Sequence, residues 1–105
     1  MNTELLSIDS AASGFAAAGA PARLQVLRLL VRAGDQGLST QIIQQRLQIP
    51  MSTLVHHLKH LVAGQLVEQT KQGRELISRA NYSHIQLLVD FLTHECCIES
   101  EWWFA

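Results

Sequence analysis

The run Pro50-Met51-Ser52-Thr53-Leu54-Val55-His56-His57-Leu58-Lys59-His60-Leu61 constrains the fold more than any other part of this 105-residue chain. At about 100° per residue, Met51, Leu54, Leu58, Leu61 and Val62 gather on one side of a helix, and Ser52, His56, Lys59 and His60 gather on the other. Pro50 suits the first helical position, where the amide hydrogen it lacks would have had no partner. A face of hydroxyls, imidazoles and an ammonium fits phosphate oxygens and base edges, and a helix is the element that enters the major groove. The same pattern describes an ordinary amphipathic surface helix, so the neighbouring segments decide between a DNA recognition helix and a solvated one.

Upstream, Ser39 or Thr40 can cap a helix carrying Ile42, Ile43 and Leu47, with Asp35-Gln36-Gly37 as the turn before it. Only Gln48 and Ile49 separate that helix from the one beginning near Pro50. Two short helices on a tight joint, the second with an exposed polar face, predict a helix-turn-helix. Downstream, Gly64 stops the helix and the period becomes strand-like through Leu66–Thr70 and Glu75–Ser78. Gly73 supplies the turn of a β-hairpin whose tip carries Lys71 and Arg74. A basic tip beside a helix-turn-helix reads as a wing set over phosphate or the minor groove, although cations at a hairpin tip also protect it from aggregation.

Three further helices complete the expectation. One runs from about Leu5 to Ala18, and one from Pro21 to before Gly34, the latter apolar nearly all round and so central. The last runs from about Tyr82 to Cys97, with Ile85, Leu88, Val89, Leu92 and Cys96 on one stripe. The fold class is therefore mainly α with a β-hairpin wing, a single winged helix-turn-helix domain over 1–105. The apolar faces of its first and last helices have no partner within so small a domain, and a homodimer through these two helices would cover them.

Net charge is −1, which looks wrong for a nucleic-acid binder. The average conceals an asymmetry: all eight Lys and Arg lie between positions 23 and 79, with only Asp35, Glu68 and Glu75 among them, a local net charge of +5. Phosphate responds to the contacting surface rather than the total, so double-stranded DNA remains a suitable partner. No apolar run approaches the length of a membrane span, and Met1-Asn2-Thr3-Glu4 lacks the positive start of a secretory signal; the expectation is a soluble, cytoplasmic protein without a membrane partner. Cys96 and Cys97 are adjacent and do not form a disulfide framework, so they are expected to be reduced thiols.

Three stretches resemble the ArsR family of winged-helix repressors. Phe15-Ala16-Ala17-Ala18-Gly19-Ala20-Pro21-Ala22-Arg23-Leu24 is similar to the family's opening of an aromatic, small residues and Pro-x-Arg-Leu. Ser52-Thr53-Leu54-Val55-His56-His57-Leu58-Lys59-His60-Leu61 is similar to its Ser-Thr-Val-Ser-x-His-Leu-x-x-Leu, and Gly64-Gln65-Leu66-Val67 to its Gly-Leu-Val entry to the wing. The resemblance spans roughly positions 10 to 95. It implies a homodimeric repressor that releases operator DNA when a metal, metalloid or oxidant binds. It carries over Ser52, Thr53 and His56 as DNA-facing, with Lys59 near the backbone, and His57 as a packed, hydrogen-bonded structural residue. Val55 departs from the family's Ser, and Pro50 and Met51 stand where polar residues are common.

The effector has to be argued from the ligands present. The family's Cys-x-Val-Cys arsenite site on the third helix is absent, since Leu38-Ser39-Thr40-Gln41-Ile42-Ile43 holds no cysteine. Its zinc or cobalt site, an Asp and a His near the start of one last helix paired with His and His or Glu near the end of the partner's, is matched in part by His84, Asp90, His94 and Glu95, with Tyr82 in place of the Asp. Cys96 and Cys97 are the metal-binding candidates: soft thiolates select thiophilic centres, and the pair can chelate trivalent arsenic or antimony. Two sulfurs leave one bond of a three-coordinate arsenic open, which favours an organoarsenical such as methylarsenite, whose third bond is already a carbon. No cofactor is required; the metalloid acts as effector. A thiol redox or persulfide response and a zinc response remain the alternatives, as does a buried, inert Cys96. An enzyme using a vicinal thiol pair would need a flavin or nucleotide domain, and no phosphate-cradling glycine motif occurs. A winged helix that binds protein rather than DNA is the other contrasting class. Trp102-Trp103-Phe104 suits padding of a dimer or a wall for the effector site.

Overall fold

The computed structural model describes residues 5–100. Its elements run α1 (Ile8–Ala18), α2 (Pro21–Ala33), β1 (Leu38–Ser39), α3 (Thr40–Leu47), α4 (Met51–Ala63), β2 (Val67–Gln72), β3 (Glu75–Ala80) and α5 (Tyr82–Thr93). The strands form one antiparallel sheet in the order β1-β3-β2. This is the expected winged helix-turn-helix. Trp102-Trp103-Phe104 lies outside the described residues.

The helices begin where side chains satisfy otherwise unpaired amides. Ser7 Oγ accepts from the Ser10 amide at 3.1 Å, which starts α1 at Ile8 and leaves Leu5 ahead of it rather than inside. Ser39 Oγ accepts from the Ile42 amide at 3.2 Å, so Ser39 is the cap of α3 and not Thr40. Pro50 sits one place earlier than expected, as the N-cap of α4 rather than its first residue. The short joint before it works because Gln48 adopts a left-handed φ of 54° and donates its amide to the Gln44 carbonyl at 2.9 Å.

α3 and α4 are seated on the core by Ile43, Leu54, Leu58 and Leu61, which meet Val26 and Leu30 of α2 and Leu66 and Val67 at the start of the wing. Met51 and Val62, expected on this apolar face, are 40% and 38% exposed, because they lie at its edges. α2 is likewise less enclosed than its composition suggests. Val26, Leu27 and Leu30 are buried, whereas Leu24 and Val31 are 45% and 43% exposed.

β1 is an addition that periodicity does not reveal, since two residues carry no period. Leu38 pairs with Ser78 and Ser39 with Ile77. Gly37 makes this pairing possible: its φ is 67°, and a Cβ there would collide with the Ser78 carbonyl oxygen. At the other end of the hairpin, Gln72 pairs with Glu75 around a two-residue turn, Gly73-Arg74, with Gly73 at φ 62° in the first central position. The strands are longer than expected, so Lys71 lies within β2 and only Arg74 occupies the turn.

The largest departure is at the end of α5. The helix stops at Thr93, whose hydroxyl donates back to the Val89 carbonyl at 3.0 Å. Beyond it the chain advances by three-residue turns: the Cys96 amide donates to Thr93 O at 2.9 Å, Ile98 to Glu95 O at 3.2 Å and Ser100 to Cys97 O at 3.0 Å. Cys97 takes a left-handed φ of 65°. The expected helix to Cys97 is therefore too long, and Cys96 does not continue the stripe of Ile85, Leu88 and Leu92.

Candidate nucleic-acid interface and thiol site

Core packing of Leu54, Leu58 and Leu61 fixes the rotation of α4 about its axis, and that leaves Ser52, Thr53, His56 and Lys59 exposed together. His56 is further oriented by His60, one helical turn on, with the two Nε2 atoms 3.2 Å apart and the rings edge to face at 4.6 Å. His60 is exposed on the same polar face, where helical spacing puts it, although the family resemblance carries over no DNA-facing role for it. His57 points to the border of the core and is half-buried. Its packing is as expected, but its buried Nδ1 has no hydrogen-bond partner among the described residues. Burial holds this imidazole below its ordinary pKa, and the nearby Arg23, His56 and His60 add to the effect.

The hairpin places Lys71 and Arg74 exposed at its outer end. Arg74 and Glu75 border a groove shared with Ser39, Thr40 and Gln41, so the turn stands beside the start of α3. Of the remaining cations, two are structural. Arg23 donates to the carbonyls of Ala17 at 2.7 Å and Ala16 at 3.3 Å, closing the end of α1. Arg79 donates to the Asp35 carbonyl at 3.2 Å and to Thr70 Oγ1 at 3.1 Å, tying the hairpin to the loop after α2. Arg28, Arg32 and Arg46 gather beside Gln25 along a groove between α2 and α3. Sequence spacing brings only Arg28 and Arg32 together, at i, i+4; Arg46 joins them through the packing of α3 on α2.

The thiols lie apart from these surfaces, beyond α5. Cys96 and Cys97 are unoxidised, with their sulfurs 3.0 Å apart. Cys96 is exposed and borders a pocket of about 280 Å³ with Leu5, Phe91, Leu92, His94 and Glu95. The hydrogen bond to Cys96 is the main reason the Cys97 thiol is held above its ordinary pKa, with burial and the charge on Cys96 adding to it. The zinc ligands suggested for the last helix are not assembled within one protomer. Tyr82 donates its hydroxyl to the Val31 carbonyl at 2.9 Å, His84 is buried, and Asp90 accepts from Gln86 Nε2 at 2.9 Å. Among the described residues no three His, Cys, Asp or Glu side chains converge to hold a metal ion. No described helix is long and apolar enough to cross a membrane.

Comparison with known proteins agrees with this architecture. A family model described as a helix-turn-helix domain matches residues 19–70. No curated protein matches the sequence. Among solved structures, an ArsR-like transcriptional regulator from Rhodococcus sp. RHA1 is 31% identical, with a TM-score of 0.74 over 90% of this chain and 83% of that one. HlyU from Vibrio cholerae is 25% identical, with a TM-score of 0.67 over 85% of this chain and 94% of that one. A homodimeric winged helix-turn-helix DNA-binding domain from Mycobacterium bovis, a possible ArsR-family regulator, is 22% identical and shares the fold, with a TM-score of 0.67 over 91% of this chain and 93% of that one. With its helix-turn-helix, its three-stranded wing sheet and this likeness to the Rhodococcus regulator, the chain belongs to the ArsR family of transcriptional regulators.

Proposed function

We propose that the chain is a homodimeric repressor that holds operator DNA through α4 and the wing. It releases that DNA when trivalent arsenic or antimony, above all an organoarsenical such as methylarsenite, bridges Cys96 and Cys97. The observation that carries this reading is the pair of free thiols with sulfurs in contact at 3.0 Å, one of them at the edge of a pocket walled by Leu5, Phe91 and Leu92. Two adjacent sulfurs can reach one thiophilic atom, and the apolar wall suits a methyl or aryl substituent on it.

Dimerisation is supported by the apolar side chains that one protomer leaves in water on α1 and α5. Ile8 is 70% exposed and Leu92 68%, with Phe15 and Val89 also exposed. The M. bovis domain of the same fold is described as homodimeric. The pocket beside Cys96 joins the segment before α1 to the end of α5, so a ligand there acts on both helices of this surface. If the two dimer forms hold the ligand with different affinity, its binding shifts the spacing of the two α4 helices and DNA affinity falls by the same coupling.

The test is release of a selected DNA duplex by methylarsenite, followed by fluorescence anisotropy in wild type, Cys96→Ser and Cys97→Ser. Wild type should release and both variants should stay bound. Release that is unchanged in the variants removes the thiols from the mechanism. Release by a mild oxidant or a persulfide donor, with no response to methylarsenite, favours the redox reading instead, for which the same free thiols supply the chemistry.

A further inference from the structure

The outer face of α4 is not wholly polar. Val55 is 39% exposed and Met51 40% exposed, although both are apolar. On a helix the neighbours of a residue lie three and four places away, so Val55 is bordered by Ser52, Met51 and Lys59. Ser52 and Lys59 are exposed members of the polar face proposed to hold DNA. Val55 therefore stands at that face and not on the core side, which Leu54, Leu58 and Leu61 occupy. It also lies in the first half of a helix that begins at Met51, the part of a recognition helix that reaches base edges.

We propose that Val55, with Met51 beside it, makes the operator sequence depend on thymine: in each half-site it packs on the C5-methyl group of one thymine in the major groove. The side chain has no donor or acceptor, so it gains nothing from the oxygens, nitrogens and amino groups that distinguish base edges. The thymine methyl is the one apolar group among them. Set against a purine, Val55 covers the N7 acceptor without pairing it, and set against cytosine it finds a hydrogen where the methyl would be. Thymine is thus favoured by contact, and a purine is disfavoured by what it leaves unpaired. A β-branched side chain in a helix keeps essentially one χ1 rotamer, so the two methyl groups of Val55 are placed before DNA arrives. Little side-chain entropy is lost on contact. A serine at this position bonds to several bases alike and carries no such preference. The assignment rests on α4 facing DNA, and it names the base that this face selects.

The experiment separates the two. A duplex is selected from random sequence by the wild-type protein, and each symmetry-related pair of its thymines is replaced in turn by uracil, which removes the methyl and keeps the hydrogen-bonding groups. Affinity is read by fluorescence anisotropy at fixed salt for wild type, Val55→Ser and Lys59→Ala. Valine and serine have similar helix propensity and the site is exposed, so Val55→Ser keeps the fold. One pair of thymines should stand out: its replacement weakens wild type by about fifteenfold, about fourfold for each methyl buried, and changes binding to Val55→Ser by less than about twofold. Lys59→Ala should weaken the thymine and uracil duplexes by the same factor, because a phosphate contact is blind to the base. If no thymine pair responds in wild type, or if the pair responds equally in Val55→Ser, the assignment of Val55 is overturned, while weaker binding by Lys59→Ala keeps α4 on DNA. If Lys59→Ala then binds as tightly as wild type, the placement of α4 on DNA falls with it.

Discussion

The α4 face and the thiol segment are held in opposite ways. α4 is locked by three buried leucines, so the direction of each polar side chain follows from the core. Cys96 and Cys97 are held by a succession of three-residue turns beyond the last helix, with little buried beneath them. A recognition surface that must match a rigid duplex gains from the first arrangement. A site that must report ligand binding by changing shape gains from the second, because local structure with few buried contacts has the lowest cost of rearrangement.

The contrast can be broken at several points, and the largest effect belongs to the core. Leu61→Ala should destabilise the fold by about 2–5 kcal/mol in urea unfolding, the range for a fully buried leucine. A cost below about 1 kcal/mol would mean that α4 is not anchored as described. Ser39→Ala removes the cap of α3 and should cost about 1 kcal/mol, with Ser39→Thr, which keeps a hydroxyl at the cap, closer to wild type.

A smaller effect comes from His57, the imidazole between the two faces of α4. Its pKa is lowered in the folded state, so the neutral form is the one the fold accommodates. Its contribution is present above the unfolded imidazole value of about 6.5 and is lost as pH falls below that. Thermal melts should therefore decline on acidification through this window, and decline less in His57→Gln; parallel declines would assign the effect to other groups. Least of all, Cys96→Ser should change stability by no more than about 0.5 kcal/mol while abolishing the metalloid response, since its side chain is exposed. A large loss of stability there would mean that the segment is part of the core after all.

The same contrast explains what was legible in the sequence. Helices α1 to α4 and the hairpin carry periodic apolar residues, and period is what a sequence displays, so these elements were readable to within a few residues. Ser52, Thr53, His56 and Lys59 followed because the opposite face of the same helix was buried. β1 was not legible, since two residues show no alternation and the pairing depends on Gly37 approaching a carbonyl 41 positions away in the chain, that of Ser78. The end of α5 misled for a related reason: Cys96 happens to fit the helical spacing, while the turn that removes it from the helix depends on Thr93 bonding back to Val89 and on the left-handed Cys97. Nor does spacing encode side-chain commitments, such as the Tyr82 hydroxyl given to the Val31 carbonyl.

That Tyr82 bond has a mechanical meaning. With its hydroxyl fastened to the last turn of α2 and Asn81 capping the same end, the near end of α5 cannot slide along the helix-turn-helix without losing a hydrogen bond. A displacement of the far end, beside the sulfurs, would therefore tilt α5 about its anchored end rather than carry the whole helix along.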